Sequence, residues 1–123
     1  MSVERPLVLV VDDEARSARL LAKLLREDGF DAEVAFDGGA AIARLSQAPI
    51  PDAMVVDFKL PHADGMTIAS YARTRRAGMP IFIVTAYPEL LRDREALEPP
   101  PNVFSKPLDY GDLRSALAAA HVA

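Results

Sequence analysis

The stretch LVLVVDDE, residues 7–14, joins an unbroken aliphatic run to three consecutive carboxylates. A short, wholly apolar run is typical of a strand that is covered on both faces of a sheet. The residues that follow, 14–28, place alanines and leucines on one helical face, and Gly29 comes where that helix should end. The stretch therefore predicts a buried strand that leads through an acidic turn into an amphipathic helix.

The same alternation continues to the end of the chain, and most of the ten prolines lie at the edges of its apolar segments. We predict strands over 7–11, 32–36, 53–56, 81–84 and 103–104. We predict helices over 14–28, 39–47, 64–76 and 109–122, with a weaker helical pattern over 89–97. Strands that alternate with helices imply right-handed crossovers. The predicted fold is a doubly wound α/β domain, with a five-stranded parallel sheet and helices on both faces.

Length and composition exclude several classes of protein. The chain has 123 residues, which corresponds to one domain, and its half apolar, one-quarter charged composition is that of a globular protein. It has no cysteine, which excludes disulfides, thiol catalysis and cysteine-bound zinc. The net charge of −4 argues against non-specific binding to nucleic acid or acidic membranes. Without a signal peptide or an apolar run of about 18 residues, we expect a cytoplasmic protein with no membrane contact.

Polar residues follow four of the five predicted strands. Asp12 and Asp13 follow the first strand, Asp57 the third, Thr85 the fourth and Lys106 the fifth. In an open parallel sheet, ligands bind beyond the carboxyl ends of the strands. We therefore expect these side chains to share one rim of the sheet.

The acidic residues allow two interpretations. Asp12 and Asp13 could simply cap the following helix. Asp57 is followed by Phe58-Lys59-Leu60-Pro61, where no helix begins, and a charge at the end of a buried strand is costly unless it is paired. Converging carboxylates repel one another unless a cation intervenes, and a site of oxygen ligands favours Mg²⁺. With a lysine and a threonine hydroxyl opposite, such a site suits a phosphoryl group.

These residues resemble the receiver domain of two-component response regulators, and the resemblance covers essentially the whole chain. The matching motifs are Val10-Val11-Asp12-Asp13-Glu14, Val56-Asp57-Phe58-Lys59-Leu60-Pro61, Asp64-Gly65, Ile83-Val84-Thr85-Ala86 and Ser105-Lys106-Pro107-Leu108. The resemblance implies a flavodoxin-like sheet with strand order 2-1-3-4-5. It also implies a signalling switch that catalyses only its own phosphorylation and dephosphorylation, rather than an enzyme.

The resemblance implies the following metal site. Asp13, Asp57 and the backbone carbonyl of Lys59 would bind Mg²⁺, and Asp12 would act through a metal-bound water.

The resemblance also implies roles in phosphoryl transfer. Asp57 would accept the phosphoryl group from a sensor histidine kinase or a histidine phosphotransfer protein. Lys106, oriented by a cis peptide to Pro107, would contact the phosphoryl oxygens, and the Thr85 hydroxyl would move to hydrogen-bond them.

The sequence departs from the family pattern near the fifth strand. Val103 takes the place of the usual aromatic residue, and Phe104 should face the opposite side of the sheet. We expect segment 86–101 to be irregular or mobile, and any output to use a different coupling. Lys59 and Tyr87 hold positions that in the family flank the path of attacking water. Tyr87 could therefore slow loss of the phosphoryl group, or be simply a half-exposed loop aromatic.

Two other functions are possible. The first is a metal-dependent phosphohydrolase with an aspartyl nucleophile, although that class needs an acid where Lys59 stands. The second is an unphosphorylated docking module on the same fold. For the preferred interpretation, we expect residues 1–123 to form a single receiver domain with no output domain and no direct contact with nucleic acid. The sequence does not identify a downstream target.

Overall fold

A computed structural model describes residues 5–91 and 97–122 of the chain. It contains seven strands: β1 (Leu7–Val11), β2 (Asp31–Ala35), β3 (Ala53–Asp57), β4 (Lys59–Leu60), β5 (Ala63–Asp64), β6 (Ile81–Thr85) and β7 (Asn102–Ser105). It also contains four α-helices: α1 (Ala15–Glu27), α2 (Gly38–Leu45), α3 (Gly65–Arg75) and α4 (Tyr110–Ala119). Within the described residues, no helix is long and apolar enough to cross a membrane.

Five of the strands form one parallel sheet in the order β2-β1-β3-β6-β7. This is the predicted order, since β6 and β7 are the fourth and fifth strands of the sequence pattern. The central strands β3 and β6 are buried along their whole length, as their unbroken apolar runs predict. The doubly wound, flavodoxin-like fold is confirmed.

The helices cover the two faces of the sheet and divide the core into two clusters. On one face, α2 and α3 pack over a cluster that includes Leu9, Met54 and Ile83. On the other face, α1 and α4 pack over a cluster that includes Val10 and Phe82. Alternate residues of one strand therefore pack into opposite clusters. This packing on both faces of the sheet holds the carboxyl ends of the strands in fixed positions.

The region around β7 follows the predicted departure from the family. Val103 packs into the cluster under α2 and α3, whereas Phe104 packs into the opposite cluster, with its ring centroid 6.1 Å from that of Phe82. Phe104 therefore does not replace the missing aromatic. The described parts of segment 86–101 contain a single 3₁₀ turn over 88–90 and otherwise irregular backbone. The predicted helical pattern over 89–97 falls largely on residues 92–96, which lie outside the described residues.

One element differs from the prediction. Residues 59–64, for which we predict no strand, form a small antiparallel hairpin in which β4 pairs with β5. Its tip is Pro61-His62, and His62 adopts a φ of +62°. Two-residue strands give almost no periodic signal, so the sequence pattern could not show them.

Candidate functional site at the carboxyl edge of the sheet

The strand ends bring the predicted site residues together at one rim. Asp57 and Thr85 are the last residues of β3 and β6, which are hydrogen-bonded neighbours in the sheet. Asp12 and Asp13 directly follow β1, on the other side of β3. Lys106 directly follows β7, and its backbone N–H donates to the Thr85 carbonyl at 2.8 Å. The parallel sheet thus delivers all five residues to the same edge.

The three aspartates form an acidic cluster. One carboxylate oxygen from each of Asp12, Asp13 and Asp57 lies within 4.8 Å of the other two. Asp12 does not cap α1, because its carboxylate accepts the backbone N–H of Glu14 at 2.9 Å, one residue before the helix begins. Burial raises the pKa of Asp12, and the charges of Asp57 and Asp13 add to that rise against the opposing Glu14 N–H and Lys106.

Asp57 is the most enclosed of the three carboxylates. Only 7% of the residue is exposed, and the Lys106 Nζ donates to its Oδ2 at 2.7 Å. Its Oδ1 accepts the backbone N–H of Lys59 at 3.2 Å. Burial alone lowers the pKa of Lys106, but the hydrogen bond and the charge of Asp57 outweigh it and raise the pKa. The hydrogen bond from Lys106 thus gives the buried Asp57 carboxylate the partner that its position demands.

The backbone around Asp57 is held closely on both sides. The N–H of Phe58 donates to the Val84 carbonyl of β6 at 3.0 Å, and the Phe58 carbonyl accepts the Gly65 N–H at 2.8 Å. A Cβ on Gly65 would lie 2.9 Å from the Asp57 carbonyl oxygen, a separation that side chains do not tolerate. Gly65 is therefore required so that the start of α3 can approach the end of β3.

Thr85 lies beside Asp57 with its hydroxyl engaged. The residue is 4% exposed, and its Oγ1 accepts the backbone N–H of Tyr87 at 3.1 Å. Tyr87 is half exposed, and its ring lies against the Lys59 ammonium, 5.8 Å from Nζ to the ring centroid. The peptide between Lys106 and Pro107 is cis.

A cavity opens beside the Asp57–Lys106 pair. Its volume is about 560 Å³, and it runs between α1 and the segment that joins β7 to α4. Its walls are mainly apolar side chains, Leu20, Leu21 and Leu24 of α1 together with Leu108 and Tyr110. A partner that reached Asp57 from this side would therefore make apolar contacts on its way to a charged site.

The donor set of the acidic cluster suits a hard divalent cation. It offers three carboxylates and no sulfur or imidazole, which favours Mg²⁺ over zinc or copper. Such a cation would relieve the mutual repulsion that contributes to the raised pKa of Asp12.

The family model described as the response regulator receiver domain matches residues 8–118. The chain belongs to this family. Receiver domains accept a phosphoryl group in two-component signalling, and the acidic rim described above is where this receiver domain carries its buried aspartate.

The similarity to known transcriptional regulatory proteins agrees with this family assignment. The transcriptional regulatory protein PdtaR of Mycobacterium tuberculosis is 31% identical over 118 residues, which cover 92% of this chain and 55% of that protein. The probable transcriptional regulatory protein TcrX of the same organism is 37% identical over 79 residues, or 64% of this chain and 33% of that protein. The receiver domain thus spans between a third and just over half of these relatives.

A solved receiver structure supports the same fold. The response regulator receiver protein of Sinorhizobium medicae superimposes with a TM-score of 0.86 at 26% identity, covering 97% of this chain and 96% of that one.

Two features of the site gave little sequence signal. The close approach of Gly65 to the Asp57 carbonyl depends on the hairpin between them, which the sequence pattern did not show. The hydrogen bond from the Tyr87 N–H to the Thr85 hydroxyl was also missed, although a threonine two residues before the donor is a common turn pattern.

Proposed function

We propose that Asp57 is the phosphoacceptor of this receiver domain. The observation that carries the proposal is the position of its buried carboxylate, 2.7 Å from the Lys106 ammonium and within 4.8 Å of oxygens on Asp12 and Asp13. The carboxylate has a positive partner, because the Lys106 ammonium is bound directly to it. It is also fixed in direction, as a nucleophile must be.

The proposed reaction is transfer from a phosphohistidine. A carboxylate oxygen of Asp57 forms a bond to phosphorus, while the phosphorus–nitrogen bond breaks and its electron pair returns to the imidazole. The transition state of phosphoryl transfer is loose, so alignment and charge neutralisation matter more than a strong base. Lys106 supplies one positive charge at the oxygens of the transferred group.

The acidic cluster is the proposed Mg²⁺ site. Asp13, Asp57 and the Lys59 carbonyl would bind the ion, and Asp12 would hold one of its water molecules. When bound, Mg²⁺ neutralises charge on the transferring phosphoryl oxygens. The chain's own contribution is to hold the three carboxylates in place against their mutual repulsion.

Thr85 is the proposed sensor of the phosphoryl group. Phosphorylation places about −1.5 to −2 charge at Asp57, by analogy with other phosphorylated side chains. The Thr85 hydroxyl lies one strand away and gains a new acceptor only in the phosphorylated state. It can therefore favour a second conformation of the segment that follows β6.

The proposed donor is a sensor histidine kinase or a histidine phosphotransfer protein, acting in the cytoplasm. The cavity beside Asp57 would admit an apolar surface that carries the phosphohistidine, because α1 lines it with leucines. The net charge of −4 supports a protein partner rather than nucleic acid for this domain. We propose that residues 1–123 act as one receiver unit.

The decisive experiment is incubation with Mg²⁺ and acetyl phosphate, followed by intact mass measurement. We expect one phosphoryl adduct, lost in Asp57→Asn and retained in the control Asp31→Asn, whose side chain is 61% exposed. Chelation of Mg²⁺ should abolish the adduct in the parent. Turnover of phosphoesters would instead indicate a phosphohydrolase. Absence of an adduct with both acetyl phosphate and a cognate kinase would indicate a docking module.

A further inference from the structure

Three contacts and the pairing of β3 with β6 connect the residues at the mouth of the site. The Lys59 N–H donates to Asp57 Oδ1 at 3.2 Å, and the Lys59 ammonium lies 5.8 Å from the centre of the Tyr87 ring. The Tyr87 N–H donates to the Thr85 hydroxyl at 3.1 Å, and Thr85 lies on β6, beside the strand of Asp57. The position of the exposed Tyr87 ring is therefore tied to both buried residues of the site.

We propose that Tyr87 transmits the state of Thr85 to the surface: phosphorylation of Asp57 releases the Tyr87 N–H from the Thr85 hydroxyl and separates the Tyr87 ring from Lys59. The inference rests on the proposed function, because it requires the Thr85 hydroxyl to turn toward a phosphoryl group. The inference adds that Tyr87 is the residue that moves in response to Thr85.

The geometry of threonine makes the release a discrete event. A hydroxyl that accepts the N–H two residues ahead is confined to one rotamer about χ1. Turning Thr85 Oγ1 toward Asp57 requires a jump to another staggered rotamer, which carries the oxygen away from the Tyr87 N–H. The Lys59 N–H also faces a changed acceptor, because one oxygen of Asp57 now carries phosphorus. Both anchors of the Lys59–Tyr87 contact thus change in the same step.

The strand next to β6 offers no aromatic residue for this task. Val103 is aliphatic and partly buried, and Phe104 packs against Phe82 on the opposite face of the sheet. Tyr87 is 52% exposed and follows Thr85 by two residues, so it can move with little loss of packing. A phosphorylation signal at Thr85 can therefore reach the surface through Tyr87 without passing through β7.

The test is NMR on the isotope-labelled chain, with the side-chain ε-methylene signals of Lys59 and the Tyr87 amide signal as probes. A ring against the ammonium shifts the neighbouring methylene protons upfield. Spectra are compared with no addition, with Mg²⁺ alone, and with Mg²⁺ and acetyl phosphate, so that metal binding near Lys59 is subtracted. Tyr71, which bonds the Ser46 hydroxyl, serves as an internal reference.

We expect acetyl phosphate to move the Lys59 methylene signals downfield to their unperturbed position and to shift the Tyr87 amide signal, with Tyr71 unchanged. Thr85→Ser, which keeps the hydroxyl, should behave like the parent. Thr85→Val should show the Lys59 methylene signals at their unperturbed position before any phosphorylation, with no further change after it. Tyr87→Phe, which keeps the ring, should retain the upfield shift that Tyr87→Ala loses.

Intact mass from the same samples separates the two proposals. An adduct with no change at Lys59 and Tyr87 would overturn the coupling while leaving Asp57 as the phosphoacceptor. Absence of any adduct would instead overturn the proposed function. A parent-like resting spectrum for Thr85→Val would also contradict the coupling. So would a Tyr87→Ala variant that loses its phosphoryl group faster while the parent signals stay fixed, since Tyr87 would then be only a shield.

Discussion

Asp13 should destabilise the metal-free protein. Its carboxylate lies within 4.8 Å of those of Asp12 and Asp57. At that separation two unit charges repel by about 0.9 kcal/mol in a water-like dielectric. Attraction to Lys106 offsets part of the two repulsions, so Asp13→Asn should increase the free energy of unfolding by about 1 kcal/mol. For a domain of this size that corresponds to an increase of about 4 °C in Tm.

The assay is thermal and urea unfolding at low ionic strength, with and without Mg²⁺. Mg²⁺ should stabilise the parent, because it binds the folded site and not the unfolded chain. Asp13→Asn should lose most of that response. The increase in its free energy of unfolding without metal should also become smaller near 1 M salt, where the screening length is about 3 Å.

A matched control is Asp31→Asn. Asp31 is exposed and lies 3.5 Å from Arg5, so its removal should leave stability unchanged or slightly lower, with a full Mg²⁺ response. An Asp13→Asn variant that is no more stable than the parent at low salt would contradict the assigned repulsion among the three carboxylates. A variant that keeps the parent's response to Mg²⁺ would contradict the role of Asp13 in the metal site.

Three further changes test the fold around the site. Tyr110→Phe removes a 2.6 Å hydrogen bond to Asp28 and should cost about 1 kcal/mol in the free energy of unfolding. Burial and that bond raise the pKa of Tyr110 above 10. The contribution of Tyr110 to the free energy of unfolding is therefore complete below pH 10 and declines at higher pH. Gly65→Ala should cost about 1–3 kcal/mol, because its Cβ meets the Asp57 carbonyl, and should slow phosphorylation by acetyl phosphate. His62→Gly should stabilise the hairpin by about 1 kcal/mol, since its φ is +62°.

Urea unfolding measures the free energy of unfolding of all three variants. A separate result would contradict each expectation. The stability difference between the parent and Tyr110→Phe should narrow as the pH rises beyond 10, and a difference that is constant with pH would exclude the assigned cause. Gly39→Ala is the control for Gly65→Ala, because a Cβ there meets only the Asp37 carboxylate at 3.5 Å. Equal effects at the two glycines would refute the steric argument. A loss of stability in His62→Gly would mean that the imidazole contributes more than the backbone strain costs.

The sheet could be predicted from the sequence because its signal is local. Unbroken apolar runs such as 7–11 and 81–84 identify buried strands, and the direction of parallel strands then places Asp12, Asp57 and Lys106 at one edge. The face taken by Phe104 followed from the alternation of side chains along a strand. These predictions of the sheet and of its shared edge do not depend on which side chains are in contact.

The remaining features depend on contacts between distant segments. The hairpin over 59–64 forms because β3 and α3 bring its ends together, as the Gly65 to Phe58 hydrogen bond shows. The 2.7 Å pair of Asp57 and Lys106 joins residues 49 positions apart. Sequence spacing indicates that such residues share an edge, but only the folded chain sets which carboxylate the lysine binds.

Reductive trapping of the phosphorylated protein identifies the residue that carries the phosphoryl group. Borohydride converts an acyl phosphate of aspartate into homoserine, and peptide mass spectrometry then locates the altered residue. After incubation with Mg²⁺ and acetyl phosphate, we expect homoserine at position 57 alone, as the proposed role of Asp57 requires. Homoserine at position 12 or 13, or unmodified Asp57 in a protein that carries the phosphoryl adduct, would contradict it.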